Sequence, residues 1–122
     1  MIKVLIADED LDSHELLSDI LHINFHEVEV ERAHDCNSFL NKISQPDIKY
    51  DLILYSSVFL KDQPEMLLQV KNENPDAFAR IVLLVDAHES LPENRELKNL
   101  PSISKPFSLD HFGEVIRKVF AS

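Results

Sequence analysis

The chain has 122 residues, which is the length of one ordinary domain, and 44% of them are hydrophobic, so we expect a packed core. The formal net charge of -10 excludes the basic surface that nucleic acids and anionic membranes require. The single cysteine excludes an internal disulfide, and the single glycine excludes glycine-rich phosphate loops. Without a secretion signal or an apolar run of bilayer length, residues 1–122 are expected to form one cytoplasmic domain.

The first part of the chain alternates short apolar runs with amphipathic stretches. Residues 3–7 predict a buried strand, and Ser13 is a capping residue for a helix that ends near Asn24. Valines alternating with glutamates over residues 27–31 predict a strand with one solvent-exposed face. Asp35 then caps a second helix, whose end is followed by a proline.

The rest of the chain continues the alternation. In order it predicts a doubly covered strand at 52–55, a helix beginning at Pro64 and ending near Asn74, a buried strand at 81–85, a polar proline-interrupted stretch at 88–100, a short strand around Ile103 and a last helix capped by Ser108. Five strands alternating with helices predict an α/β fold, a doubly wound parallel sheet with helices on both faces. The flavodoxin-like strand order 2-1-3-4-5 is the leading candidate, and its sites lie at the carboxyl ends of the strands.

Charged and hydroxyl side chains stand at those predicted strand ends. Asp8 and Glu9 follow the first strand, Ser56 the third, Asp86 the fourth and Lys105, with Pro-Phe after it, the fifth. An acidic pair combined with Lys-Pro-Phe over a chain of this length resembles the receiver domains of response regulators. The resemblance covers the whole chain and implies a role in two-component phosphorelay signalling.

The resemblance also implies a role for each site position. In receiver domains the acidic pair helps to hold Mg²⁺, and an aspartate ending the third strand accepts the phosphoryl group. A serine or threonine ending the fourth strand and a lysine ending the fifth then hold the phosphoryl oxygens. Asp8 and Glu9 match the acidic pair and are therefore the candidate Mg²⁺ ligands, and Lys105 matches the lysine.

Three positions depart from that pattern. Ser56 stands where the phosphoaccepting aspartate belongs, and a serine hydroxyl without a base is a poor nucleophile. Asp86 replaces the serine or threonine, and its carboxylate would repel a phosphoryl dianion. Ser102 occupies the place of the aromatic residue that, in receiver domains, moves inward when the domain is phosphorylated. The sequence therefore predicts a degenerate phosphorylation site, in which Asp86 pairs with Lys105.

These positions favour an atypical receiver, or pseudo-receiver, that is not an enzyme and requires no cofactor. Its expected partners are other signalling proteins, a histidine kinase or a downstream regulator, and a homodimer is compatible with the sequence. The expected contact surface lies around the last two strands and the last helix, where the exposed basic candidates are Arg95, Lys98, Arg117 and Lys118. Three alternatives stay open: phosphorylation at a substitute residue, a divalent-metal-sensing flavodoxin-like domain, and a fragment of a longer protein.

Overall fold

Strands and helices alternate along the chain in a computed structural model, which describes residues 2–8, 10–45, 47, 49–63, 65–86, 100–105 and 109–121. In chain order the described elements are β1 (Ile2–Ala7), α1 (Leu11–Asn24), β2 (Val28–Ala33), α2 (Cys36–Ile43), β3 (Leu52–Ser56), α3 (Ser57–Asp62), α4 (Met66–Glu73), α5 (Pro75–Phe78), β4 (Ile81–Asp86), β5 (Ser102–Lys105) and α6 (Leu109–Ala121). The described strands form one parallel sheet in the order β2-β1-β3-β4-β5. The predicted flavodoxin-like fold is confirmed. Of the helices described, none is long and apolar enough to cross a bilayer.

Two aspartates start the helices that follow β1 and β2. Asp10 accepts the backbone N–H of Asp12 at 3.0 Å, and Asp35 accepts that of Ser38 at 2.7 Å. A carboxylate in this position satisfies an N–H that has no partner within the helix. The hydrogen bond from the Ser38 backbone lowers the pKa of Asp35. The predicted cap at Asp35 is confirmed, but the one at Ser13 is wrong, because Asp10 takes that place.

The segment after β3 contains more helix than the sequence predicts. α3 follows β3 directly and is too short to show a helical period, so only α4 was predicted in this segment. The predicted helix end near Asn74 is confirmed, because α4 ends at Glu73. The side chain of Asn74 then accepts the N–H of Ala77 at 3.2 Å and caps a further helix, α5, which was not predicted. The predicted helix start at Pro64, most of the polar stretch at 88–100 and the cap at Ser108 lie outside the described residues.

Helices cover both faces of the sheet, so the central strands are buried on two sides. On one face, strand residues such as Leu5 and Ile53 pack against α2, α3, α4 and α5. On the other face, Val4, Leu54 and their neighbours pack against α1 and α6. Every residue of β3 is buried, as the run of consecutive apolar residues predicts for a doubly covered strand.

A charged network joins several elements through Glu31 on β2. Its carboxylate accepts a hydrogen bond from the Tyr50 hydroxyl at 2.8 Å and lies 3.4 Å from the ammonium groups of both Lys3 and Lys42. Burial alone would raise the pKa of Glu31, but the Tyr50 hydrogen bond and the two lysines outweigh it, so the pKa is lowered. Burial and the hydrogen bond to Glu31 raise the pKa of Tyr50. The network links β1, β2, α2 and the segment before β3.

Acid is expected to weaken the fold through Glu31. Because its pKa is lower in the folded chain, the unfolded chain binds more protons, so this stability is complete above the ordinary pKa near 4.5 and is lost as the pH falls through the folded value. Urea unfolding should therefore show Glu31→Gln about 1 kcal/mol less stable than wild type at about pH 7, with the gap closing at about pH 3. The exposed control Glu65→Gln should match wild type at both values. A gap for Glu31→Gln that does not change with pH would contradict the prediction.

Candidate functional site

The carboxyl ends of β1, β3, β4 and β5 meet at one edge of the sheet. The register of β1 with β3 ends at Ala7 and Tyr55, and Asp8 and Ser56 are the next residues of the two segments at this edge. Farther along the edge, Asp86 of β4 lies in register with Lys105 of β5. The fold therefore brings four of the predicted site residues to the same edge, whereas Glu9 lies outside the described residues.

Asp8 is held in a fixed position at this edge. It is 1% exposed, and its backbone N–H donates to the carbonyl of Ala33 at 3.1 Å. Its carboxylate accepts the backbone N–H of Asp10 at 3.0 Å. A buried carboxylate needs such donors to offset the loss of its hydration. The end of β1 is thus linked both to β2 and to the start of α1.

Ser56 has a structural role that the sequence analysis missed. The residue is 1% exposed, and its hydroxyl oxygen accepts the backbone N–H of Val58 at 3.2 Å. This contact makes Ser56 the capping residue of α3, while its own backbone still belongs to β3. The signal that could have revealed it is the pair of serines, Ser56 and Ser57, that precedes the short apolar stretch 58–60, because serine is a typical residue at the start of a helix.

Removing this cap is expected to destabilise the protein. Ser56→Ala leaves the N–H of Val58 without its side-chain acceptor, so the free energy of unfolding should fall by about 1 kcal/mol in urea titrations. Hydrogen exchange at the Val58 amide should become faster in the same variant. The control Ser56→Asn retains a capping oxygen and should keep that amide protected. Equal exchange in the alanine and asparagine variants would show that the hydroxyl does not hold α3.

Asp86 and Lys105 are the last residues of neighbouring parallel strands. Their backbones are paired in register. The ion pair between their side chains stays a prediction. Ser102 lies at the start of β5, in register with Leu83, and is exposed. Its predicted role at the switch position likewise stays a prediction.

A histidine that the sequence analysis did not single out lies beside the site. His14 on α1 is half-buried, and its Nδ1 has no hydrogen-bond partner among the residues that the structure describes. Burial and the nearby Arg32 guanidinium lower the pKa of His14, whereas Glu15 and Asp8 oppose this shift. No sequence signal connects Arg32 with Asp8, because only the packing of β2 beneath α1 brings them near the same histidine.

A divalent cation at this edge would need several oxygen ligands from the ends of the strands. Mg²⁺ and Ca²⁺ prefer carboxylate oxygens, and Asp8 supplies one carboxylate while Ser56 supplies none. Within the described ranges, no group of three histidine, cysteine, aspartate or glutamate side chains is placed to hold a metal ion. The Mg²⁺ site predicted at Asp8 and Glu9 therefore stays a prediction.

Solved receiver domains superpose on nearly the whole chain. A response regulator receiver domain protein from Clostridium thermocellum matches with a TM-score of 0.73 and 15% identity, over 99% of this chain and 95% of the other. A response regulator from Thermotoga maritima matches with a TM-score of 0.74 and 19% identity, over 100% and 99%. The chain has the receiver-domain fold.

A longer protein contains the same fold as one part. NtrX from Brucella abortus matches the receiver fold with a TM-score of 0.78 and 22% identity over 99% of this chain, which spans only 26% of NtrX. No family sequence model and no curated protein sequence matches the chain. The resemblance drawn from the acidic pair and Lys-Pro-Phe is thus confirmed at the level of the receiver fold.

Proposed function

We propose that the chain is an atypical receiver of two-component signalling that is not phosphorylated at the usual position and acts through contacts with other proteins. The observation that carries this proposal is the environment of Ser56. Its hydroxyl stands at the end of β3, is buried, and is engaged as the cap of α3. The receiver fold supports the signalling context, because the site lies at the edge where such folds place their chemistry.

The chemistry of the site also argues against phosphoryl transfer. A serine hydroxyl attacks phosphorus efficiently only when a base removes its proton. The Ser56 oxygen instead accepts an N–H, which reduces the electron density that it could offer to phosphorus. Asp86 ends the adjacent strand β4, and a carboxylate there adds negative charge where a phosphoryl dianion would have to bind.

Acetyl phosphate tests the proposal directly. The chain is incubated with acetyl phosphate and Mg²⁺, alongside a receiver domain with an intact aspartate as the reagent control, and intact mass is measured. We expect the control protein to gain one phosphoryl group and this chain to gain none. A gain that disappears in Asp8→Ala would contradict the proposal and would establish phosphorylation at a substitute residue.

The proposal includes no required cofactor. Thermal unfolding with increasing Mg²⁺ or Ca²⁺ should therefore show no stabilisation, because an ion that bound the folded chain would raise its melting temperature. Stabilisation that is abolished in Asp8→Asn would instead favour the divalent-metal-sensing alternative. The asparagine variant keeps an oxygen that can accept the Asp10 N–H, so its melting temperature without metal should be close to that of wild type.

The proposed partners are a histidine kinase or a downstream regulator in the cytoplasm. Arg117 and Lys118 are exposed on α6 and belong to the predicted contact surface, whereas Arg95 and Lys98 lie outside the described residues. Affinity capture from the native cell with wild type and with Arg117→Glu/Lys118→Glu tests that surface. Partners lost only with the charge-reversed variant would support it, and an unchanged set would contradict it.

A further inference from the structure

A groove opens at the edge of the sheet where the parallel strands begin, opposite the edge that carries Ser56. It has a volume of about 820 Å³ and lies between the ends of α2 and α4 and the starts of β3 and β4. Cavities of about 300–1,000 Å³ hold small organic molecules. Among the described residues, none of those at the site around Ser56 lines it. The groove is therefore a second place where the fold can receive a ligand.

The floor of the groove is apolar. Ile53 of β3 is 0% exposed, Val70 of α4 is 1% exposed, and both line the groove. Leu40 and Ile43 of α2 and Ala77 of α5 add further apolar side chains. A ligand that covers such side chains removes apolar surface from water, and this favours its binding. The floor thus selects a ligand with an apolar body.

The side chain of Asn74 holds the surrounding helices together. Its Nδ2 donates a hydrogen bond to the carbonyl of Ile43 at 3.3 Å, and its Oδ1 accepts the N–H of Ala77 at 3.2 Å. Its backbone N–H donates to the carbonyl of Val70 at 2.7 Å. One residue thus ties the ends of α2 and α4 to the start of α5. The groove is formed before a ligand arrives, so binding requires little ordering of the protein.

Charges of both signs line the mouth of the groove. Lys49, Asp76 and Arg80 are exposed lining residues. In the part of the chain that the structure describes, none of these three side chains forms an ion pair. A ligand of a single sign would be attracted by some of them and repelled by the others. A ligand with one positive and one negative group can pair with both kinds.

The helix ends around the groove add a preference for a cation. The last turns of α2 and α4 line it, and these helices end at Ile43 and Glu73. The carboxyl end of a helix carries partial negative charge, which favours a positive group nearby. The helix ends and Asp76 therefore favour an ammonium group, whereas Lys49 and Arg80 favour a carboxylate.

We propose that this groove binds a short apolar peptide with a free amino end and a free carboxyl end. The apolar side chains of the peptide cover the floor, its ammonium group pairs with Asp76, and its carboxylate pairs with Lys49 and Arg80. Its amide groups match Ser44 and Gln45, which are exposed polar residues of the lining. The groove and Ser56 lie at opposite edges of the sheet, so this inference goes beyond the proposed function and does not depend on it.

Titration with a leucine–alanine–leucine tripeptide, followed by methyl NMR, tests the proposal. The peptide has about 20 non-hydrogen atoms, so we expect a dissociation constant on the order of 10–100 µM. The same peptide acetylated at the amino end and amidated at the carboxyl end keeps the apolar body but loses both charges. It should bind at least about fivefold more weakly, as expected for the loss of two exposed ion pairs. Equal affinities, or no binding of the free peptide at millimolar concentration, would overturn the proposal.

Single variants assign the two ends of the peptide. Asp76→Asn should reduce the effect of acetylating the amino end and preserve the effect of amidating the carboxyl end. Arg80→Gln should do the reverse, so each variant is a control for the other, and both residues are exposed. Glu65→Gln removes an exposed carboxylate that does not line the groove and should change neither effect. If neither groove variant changed the effect of modifying an end, the proposal would be overturned. Thermal melts verify that each variant is folded.

The methyl signals locate the peptide on the protein. Signals of Leu40, Ile43 and Val70 should shift during the titration, because these residues line the groove. Signals of Ile103 and Ile116, which pack on the other face of the sheet, should stay in place. Shifts at Ile103 and Ile116 without shifts at the groove would overturn the proposal.

Two further results separate this proposal from other interpretations. Sedimentation that shows a dimer, together with its dissociation by the tripeptide, would make a second copy of the chain the occupant and would overturn the proposal. Phosphorylation of the wild-type chain by acetyl phosphate would contradict the proposed function, but binding of the tripeptide should remain. Loss of tripeptide binding would leave the result with acetyl phosphate unchanged.

Discussion

The double substitution Ser56→Asp/Asp86→Thr is expected to accept one phosphoryl group from acetyl phosphate, whereas the wild-type chain accepts none. Aspartate at position 56 supplies a carboxylate oxygen at the end of β3, at the same edge of the sheet as Asp8. Threonine at position 86 replaces a repelling charge with a hydroxyl that can donate a hydrogen bond. The carboxylate oxygen forms a bond to phosphorus, and acetate leaves with the electrons of the bond that breaks.

Intact mass in the presence of Mg²⁺ measures this gain, and hydroxylamine identifies its chemistry because it cleaves an acyl phosphate but not a serine ester. The matched control Asp86→Thr alone should remain unmodified, since it still lacks the carboxylate nucleophile. A folded double variant that stays unmodified would contradict the expectation that these two positions decide whether the chain accepts a phosphoryl group. Modification of the control would show that the gain does not require a carboxylate at position 56.

Truncation of Tyr55 is expected to have the largest effect on stability near the site. Its ring is 0% exposed and forms edge-to-face contacts with Phe39 at 4.9 Å and with Phe59 at 5.7 Å between centroids. Tyr55→Ala removes these contacts and leaves a cavity between β3, α2 and α3, so the free energy of unfolding should fall by about 3–5 kcal/mol in urea titrations.

Tyr55→Phe is the matched control for this prediction. It keeps the ring and both aromatic contacts, so it should lose much less stability than the alanine variant. The difference between the two variants measures the contribution of the ring. A similar loss in both would mean that the hydroxyl, rather than the ring, governs stability at position 55.

Much of the fold could be predicted because its signals are local. β3 and β4 are continuous apolar runs, as expected for strands buried on both faces, and their alternation with helical periods predicts a parallel sheet. Asp35 was recognisable as a cap because it directly precedes a helical period. The length of the chain and the alternation of its elements also favoured the strand order 2-1-3-4-5, which the structure confirms.

The features that were missed depend on short elements or on distant parts of the chain. α3 has too few residues to show a period, so the capping role of Ser56 was not visible. The Glu31–Tyr50 hydrogen bond joins residues nineteen positions apart, and only the finished sheet brings them together. The placement of Arg32 beside His14 has the same origin, since one lies on β2 and the other on α1.

The cap at the start of α3 does not depend on which reactive group stands at position 56. Serine and aspartate are similarly favourable as the N-cap residue of a helix, so either residue at position 56 can accept the N–H of Val58. Serine does so without burying a second carboxylate at the same edge as Asp8, which would carry a desolvation cost. Either residue at position 56 can therefore hold the start of α3. An exchange between them changes what this edge of the sheet can do chemically and leaves the scaffold in place.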